Sequence, residues 1–168
     1  MKILGIDPGT ATTGYGVISA PSLKLIEFGC IKTSKTNSLP ERLEEIYKDL
    51  TKLIEKHHPR IIAVESLYFY NNVKTAIAVA QARGVVLLCA RQKKISIREF
   101  TPLEVKSNLT NYGRASKKQI QYMVKTLLNL KTIPKPDDAA DALALAICGA
   151  NNTHSFSPFL PKGNERGS

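Results

Sequence analysis

The chain has 168 residues, 43% of them apolar and 23% charged, which is globular composition and suits one domain around one hydrophobic core. Its longest apolar runs, such as Val85 to Ala90, are far too short to span a bilayer, so no membrane role is expected. The formal net charge of +10 points instead to a polyanionic partner.

Met1-Lys2 lead directly into Ile3-Leu-Gly-Ile6, which reads as a buried strand rather than the long apolar region of a signal peptide; a cytoplasmic protein is expected. The strand ends at Asp7-Pro8-Gly9. Thr12 to Ile18 and Leu23 to Ile31 are further β-rich runs, separated by Ala20-Pro21-Ser22, so the first three strands predict an antiparallel meander. Ser38-Leu-Pro-Glu41 is a capping box that opens a helix with Leu39, Leu43, Ile46, Leu50, Leu53 and Ile54 at helical spacing, and this helix ends before Pro59. Arg60 to Glu65 is a fourth strand. Since it follows a helical crossover, it is expected to run parallel to an earlier strand.

The spacing predicts a helix from Asn71 to about Arg91, with the small residues Ala76, Ala80 and Gly84 four apart on one face. That face could pack on the sheet or admit another helix closely. Ile95 to Phe100 is a fifth strand, and Thr101 to Tyr112 a short helix plus loop. Ser116-x-x-Gln119 is a second capping box, and Pro134-Lys-Pro136 stops the helix it begins. Asp137 to about Ala150 is an alanine-rich final helix. One domain is expected over 1–150, and a flexible tail over 151–168. The order of elements predicts an α/β protein: a five-stranded mixed sheet with helices on both faces, resembling the ribonuclease H fold.

Four carboxylates stand where structure alone does not ask for them. Asp7 and Glu65 each end an apolar strand, and at the ends of neighbouring parallel strands they would emerge side by side. Asp138 and Asp141 are three apart, so they share one face of a helix that is otherwise apolar nearly all round. An unpaired carboxylate packed there is costly, and bound cations remove the cost. Simpler readings exist for three of them: Asp7 shaping a turn with Pro8-Gly9, Glu65 exposed at a strand end, Asp138 favouring the helix N-terminus as Asp137 does; Asp141 lies a full turn further in and is harder to dismiss. Together, four hard oxygen ligands point to Mg²⁺ or Mn²⁺ and to two-metal phosphodiester hydrolysis. Cys30, Cys89 and Cys148 form no CxxC pair and read as reduced thiols. None of His57, His58 and His154 has zinc-ligand spacing with a cysteine.

The positive charge is concentrated. Between Arg91 and Lys118 eight basic residues face only Glu99 and Glu104, so this stretch carries +6 of the total +10. Lys117 and Lys118 fall in a helix's first turn, where the dipole disfavours cations but where free N–H groups and lysines together suit a phosphate.

Gly5-Ile-Asp-Pro-Gly-Thr10, Gln81-Ala-Arg-Gly84 and Asp138-Ala-Ala-Asp-Ala-Leu-Ala144, in that order and with Glu65 between the first two, resemble the RuvC Holliday-junction resolvases over nearly the whole chain. The resemblance implies a homodimeric Mg²⁺-dependent endonuclease that cuts four-way DNA junctions symmetrically in recombination and repair, working with the branch-migration proteins RuvA and RuvB. It implies Asp7, Glu65, Asp138 and Asp141 as the catalytic, metal-binding set, and the helix carrying Ala76, Ala80 and Gly84 as a dimer element. Lys106 and Lys117 fall at its basic positions near the scissile strand, with Arg114 and Lys118 as further backbone contacts. Where the family has an aromatic that stacks on bases, Glu65-Ser-Leu-Tyr68-Phe69-Tyr70 leaves Tyr68 or Phe69 as the stacking ring, or the trio as a packed loop. Two rival classes remain: an actin-like or sugar-kinase ATPase, which shares the first glycine motif but needs a second lobe, and a junction-binding module with a silent site.

Overall fold

The computed structural model describes residues 1–66 and 73–151. Tyr68, Phe69 and Tyr70, the expected helix start at Asn71, and the expected tail from residue 152 onward lie outside the described residues. Ten elements follow in order: β1 (Lys2–Asp7), β2 (Thr12–Ser19), β3 (Lys24–Lys32), α1 (Leu39–His57), β4 (Ile61–Glu65), α2 (Val73–Gln92), β5 (Ser96–Phe100), α3 (Pro102–Thr110), α4 (Lys117–Leu127) and α5 (Asp137–Asn151). The five strands make one mixed sheet in the order β3-β2-β1-β4-β5, with the predicted β1–β2–β3 meander antiparallel and β1, β4 and β5 parallel.

Side chains alternate across a strand, and β1 sends them into two cores. Ile3 joins Leu143, Ala146 and Ile147 on the face covered by α3, α4 and α5. Leu4 and Ile6 join Ile46, Leu50 and Val86 on the face covered by α1 and α2. In β4, Ile61 and Ala63 likewise face α5, and Ile62 faces α1. By that alternation Asp7 and Glu65 both belong to the α5 side. They stand one residue beyond the last paired residues of two neighbouring parallel strands, Ile6 and Val64.

The helix starts follow from their caps. The Glu41 carboxylate accepts the Ser38 backbone N–H at 2.7 Å, and Glu104 and Gln119 accept the N–H groups of Thr101 and Ser116 in the same way. The Thr101 capping box belongs to α3, whose start the residue pattern placed only within a broader helix-plus-loop segment. His57 is buried at the end of α1, and its Nε2 lies 2.7 Å from the Glu27 Oε2, which also accepts from Lys56. It therefore has a structural partner. The three cysteines are free, with Cys89 and Cys148 buried. Among the described residues no helix is long and apolar enough to cross a membrane.

On α2 the residues fully buried in the core are Ala82, Val86, Cys89 and Ala90, whereas Ala76 and Ala80 are half-buried and Gly84 is exposed. A side chain built at Gly84 meets nothing within 4 Å. Ile77 and Leu88 are about half exposed on this outward side.

Candidate active site

Helix α5 reaches the sheet through glycines. A Cβ on Gly5 would lie 1.9 Å from the Ala142 carbonyl oxygen, and one on Gly14 would lie 2.0 Å from that of Asp138. Gly14 is the register partner of Asp7, and Gly16 that of Gly5. The helix backbone thus rests on bare strand backbone where β1 and β2 pair, and its acidic first turns are delivered beside Asp7. Residues Ala139 to Ala150 are all buried except Asp141, which keeps partial exposure.

One cleft of about 240 Å³ collects the chemistry. Asp7, Glu65, Lys106, Lys117 and Asp141 line it, with Pro102, Val105, Ile120, Ala144 and Leu145 as its apolar walls. Asp138 does not line this cleft, but its charge reaches Asp7. Burial, and after it the negative charges of Asp141, Glu65 and Asp138, push the Asp7 carboxyl from 3.8 up to about 7, with Lys117 pulling the other way. Burial and then Asp141 raise the Glu65 carboxyl as well.

Lys117 is the resident counter-charge. Its Nζ donates to Asp141 Oδ2 at 2.9 Å and stands 3.7 Å from Asp137 Oδ2. The bond to Asp141 raises the lysine's own pKa, so it stays cationic. Asp137 turns outward to Lys135 at 3.1 Å, which agrees with a helix-start role. Among the described residues no three His, Cys, Asp or Glu side chains are already drawn together as ligands of a metal ion. Four like charges repel, and of the two lysines that line the cleft Lys117 has engaged Asp141. The donor chemistry nevertheless fits a hard divalent cation: all oxygen, net negative, and energetically unsatisfied at Asp7.

A sequence profile described as "Crossover junction endodeoxyribonuclease RuvC" matches residues 3–149. The crossover junction endodeoxyribonuclease RuvC of Alkaliphilus oremlandii is 52% identical over 164 residues, covering 96% of this chain and 100% of the relative. The chain belongs to the RuvC family. The RuvC structure of Thermus thermophilus superimposes with a TM-score of 0.84 at 33% identity, over 92% of this chain and 96% of that one. A second structure of that RuvC, in complex with Holliday junction substrate, also gives 0.84 at 31% identity, over 92% and 95%. The ribonuclease H-like architecture expected from the order of elements is therefore the RuvC architecture.

Of the basic residues singled out in this RuvC-family chain, Lys106 and Lys117 enter the carboxylate cleft. Arg114 and Lys118 are exposed outside it, on the loop before α4 and on its first turn. Sequence reasoning missed Arg83. Its Nε donates to the Glu65 carbonyl oxygen at 3.3 Å and its guanidinium pairs with Glu99, so it ties the ends of β4 and β5 to α2. Its place in Gln81-Ala-Arg-Gly84 was the available signal, but nothing local says what the guanidinium reaches.

Proposed function

We propose that the chain is a homodimeric, metal-dependent endonuclease that resolves four-way DNA junctions by hydrolysing phosphodiester bonds in recombination and repair. The observation that carries the reading is Asp7: a carboxyl at the end of β1, raised to about 7 by burial and by three other carboxylates, in a cleft that also holds two lysines. A carboxyl whose burial and neighbours disfavour its ionisation, as at Asp7 and Glu65, gains most from a divalent cation, and strained titrations of this kind gather at functional sites.

Asp7, Glu65, Asp138 and Asp141 would hold the cations, two Mg²⁺ ions with Mn²⁺ able to substitute. When bound, such ions polarise the scissile phosphate and make an attacking water acidic. The chain's own groups do the rest. Lys117 neutralises Asp141 before the cations arrive and, with Lys106, gives an anionic strand a favourable approach to a cleft that four carboxylates alone would close to it. The Val105, Ile120, Ala144 and Leu145 walls exclude water from one side, which strengthens each charge interaction inside. Because Asp7 must shed its proton to act as a ligand, cation binding should strengthen as pH rises through 7.

Dimer formation is supported by the outward side of α2, where Ile77 and Leu88 are exposed and Gly84 leaves room for close helix approach. Cooperation with RuvA and RuvB, and a cytoplasmic location, rest on family membership alone. The test is cleavage of a synthetic four-way junction beside a linear duplex of the same sequence, with and without Mg²⁺. Cutting of the junction only, and only with metal, is expected. No cutting of any junction with Mg²⁺ or Mn²⁺ refutes the reading in favour of a junction-binding module.

A further inference from the structure

A second depression, of about 430 Å³, lies where α3 and α4 meet. Leu109 and Ala115, both buried, and Met123 form its apolar part; Tyr112 and Tyr122 line it too, and Thr110, Asn111, Lys118 and Gln119 complete the lining. Both rings are more than half exposed, 56% for Tyr112 and 60% for Tyr122. Their backbones are fixed. Tyr112 follows Asn111, the left-handed cap of α3; its N–H donates to Thr110 Oγ1 at 3.1 Å and its carbonyl accepts from Ala115 at 3.1 Å. Tyr122 lies inside α4. No acidic residue lines the depression among the described residues, and Arg114 lies between Tyr112 and Ala115 in the loop that carries it.

The position of the depression decides what it takes. Along α4, Lys117 and Ile120 line the carboxylate cleft, while Lys118, Gln119, Tyr122 and Met123 line this one. Along α3, Val105 and Lys106 belong to the cleft and Leu109 and Thr110 to the depression. The two are therefore separated by about one helix diameter, roughly 10–12 Å, which is the rise of about three nucleotides at 3.4 Å each. A strand lying in the cleft and continuing across α4 meets exposed rings and the Lys118 ammonium, which forms no ion pair among the described residues, within a few nucleotides.

We infer that the Tyr112–Tyr122 depression is a nucleobase-binding site for the DNA strand that runs past the catalytic cleft: the tyrosine rings stack on an unpaired base, and Lys118 and Arg114 hold its flanking phosphates. The inference rests on the nuclease reading and adds to it an aromatic contact carried by the end of α3 and by α4. Stacking of this kind is tolerant of sequence, because every base offers a flat face. It therefore serves branched DNA, in which pairing is interrupted near the branch, better than continuous duplex. An apolar part of Leu109, Ala115 and Met123 beside the lining cation Lys118 fits a base attached to a phosphate; a basic patch alone would bind the backbone only.

The test uses the whole protein and a four-way junction carrying 2-aminopurine at successive positions within five nucleotides of the cut. Wild-type binding should quench the fluorescence at one of these positions. Tyr112→Ala and Tyr122→Ala should each abolish the quench and weaken junction binding by roughly 5- to 150-fold, the range of one base–aromatic stack. Tyr→Phe at either position should preserve both. In the wild-type protein, 5-iodouracil at the quenched position should crosslink on irradiation to Tyr112 or Tyr122, a readout that needs no variant to fold. If the alanine variants bind and quench as wild type does, or if crosslinks map elsewhere, the site is refuted while the nuclease reading stands. A wild-type protein that binds no junction refutes the nuclease reading itself. Loss of self-association without DNA in Tyr122→Ala would assign the depression to a second copy of the chain and overturn the inference.

Discussion

Replacing Asp7 by asparagine removes a charge and keeps the shape, so its effect on stability can be worked out. The carboxyl titrates at 3.8 in the open chain and at about 7 in the folded one. At 1.36 kcal/mol per tenfold change, holding it ionised in the fold costs about 4 kcal/mol. Its folded value is the higher one. The stability it contributes is therefore complete below about pH 4 and is lost as pH rises through 7. An amide also needs partners, and the neighbouring carboxylates relax when Asp7 is neutral, so about 2–4 kcal/mol should be recovered. In a chain of this length that is about 4–16 °C in melting temperature. Thermal unfolding in EDTA should thus find Asp7→Asn more stable than wild type at pH 8, with the gap closing toward pH 4. Adding Mg²⁺ should then raise the wild type more than the variant, because a ligand of the folded state stabilises it in proportion to its binding. A variant that melts at or below the wild-type temperature at pH 8 without metal would show that Asp7 is not held among like charges, and the basis for a cation site would go with it.

Glu65→Gln and Asp141→Asn should each abolish junction cleavage and leave junction binding within a few-fold of wild type by gel shift; parallel loss of both would make these residues structural. Lys117→Ala should lower the salt slope of junction binding by about one and raise the Asp7 carboxyl further, since its opposing charge is gone; an unchanged slope would deny it a phosphate role. Gly5→Ala, which would bring a methyl to 1.9 Å from the Ala142 carbonyl oxygen, should cost about 3 kcal/mol or more and most of the activity, whereas Gly84→Ala, facing open space inside α2, should stabilise the monomer by about 0.4–1 kcal/mol in denaturant unfolding. Leu88→Glu should shift the protein to a monomer in sedimentation without unfolding it; an unaltered mass would exclude the outer side of α2 as the dimer surface.

The β1–β2–β3 meander was legible because Ala20-Pro21-Ser22 interrupts two β-rich runs, and the parallel β4 followed from the helix before it. The two strand-end carboxylates were legible for the same reason: once β1 and β4 are parallel neighbours, side-chain alternation leaves Asp7 and Glu65 together. What stayed hidden depends on contacts between distant segments. Gly5 stood out only as part of the Gly5–Thr10 motif and nothing local marks Gly14 or Gly16, yet all three admit α5. Lys117 read as a free phosphate ligand from its place in a helix's first turn, and its bond to Asp141, 24 residues away, could not be foreseen. The small face of α2 left two packings open; its outward direction depends on which residues the sheet claims, and those are Ala82, Val86 and Cys89.

The seating of α5 on bare strand has a mechanical consequence. Where helices meet a sheet through side chains, replacing one methyl lets the layers drift by a fraction of an ångström. Here peptide group rests on peptide group at Gly5 and Gly14, so the offset between Asp7 and the α5 acids is fixed by main-chain thickness, which no substitution elsewhere can trim. Leu143 or Ile147 can be exchanged for other apolar residues and the fold will pay in firmness, but the alignment of the acids should hold to within the tolerance that phosphoryl chemistry demands.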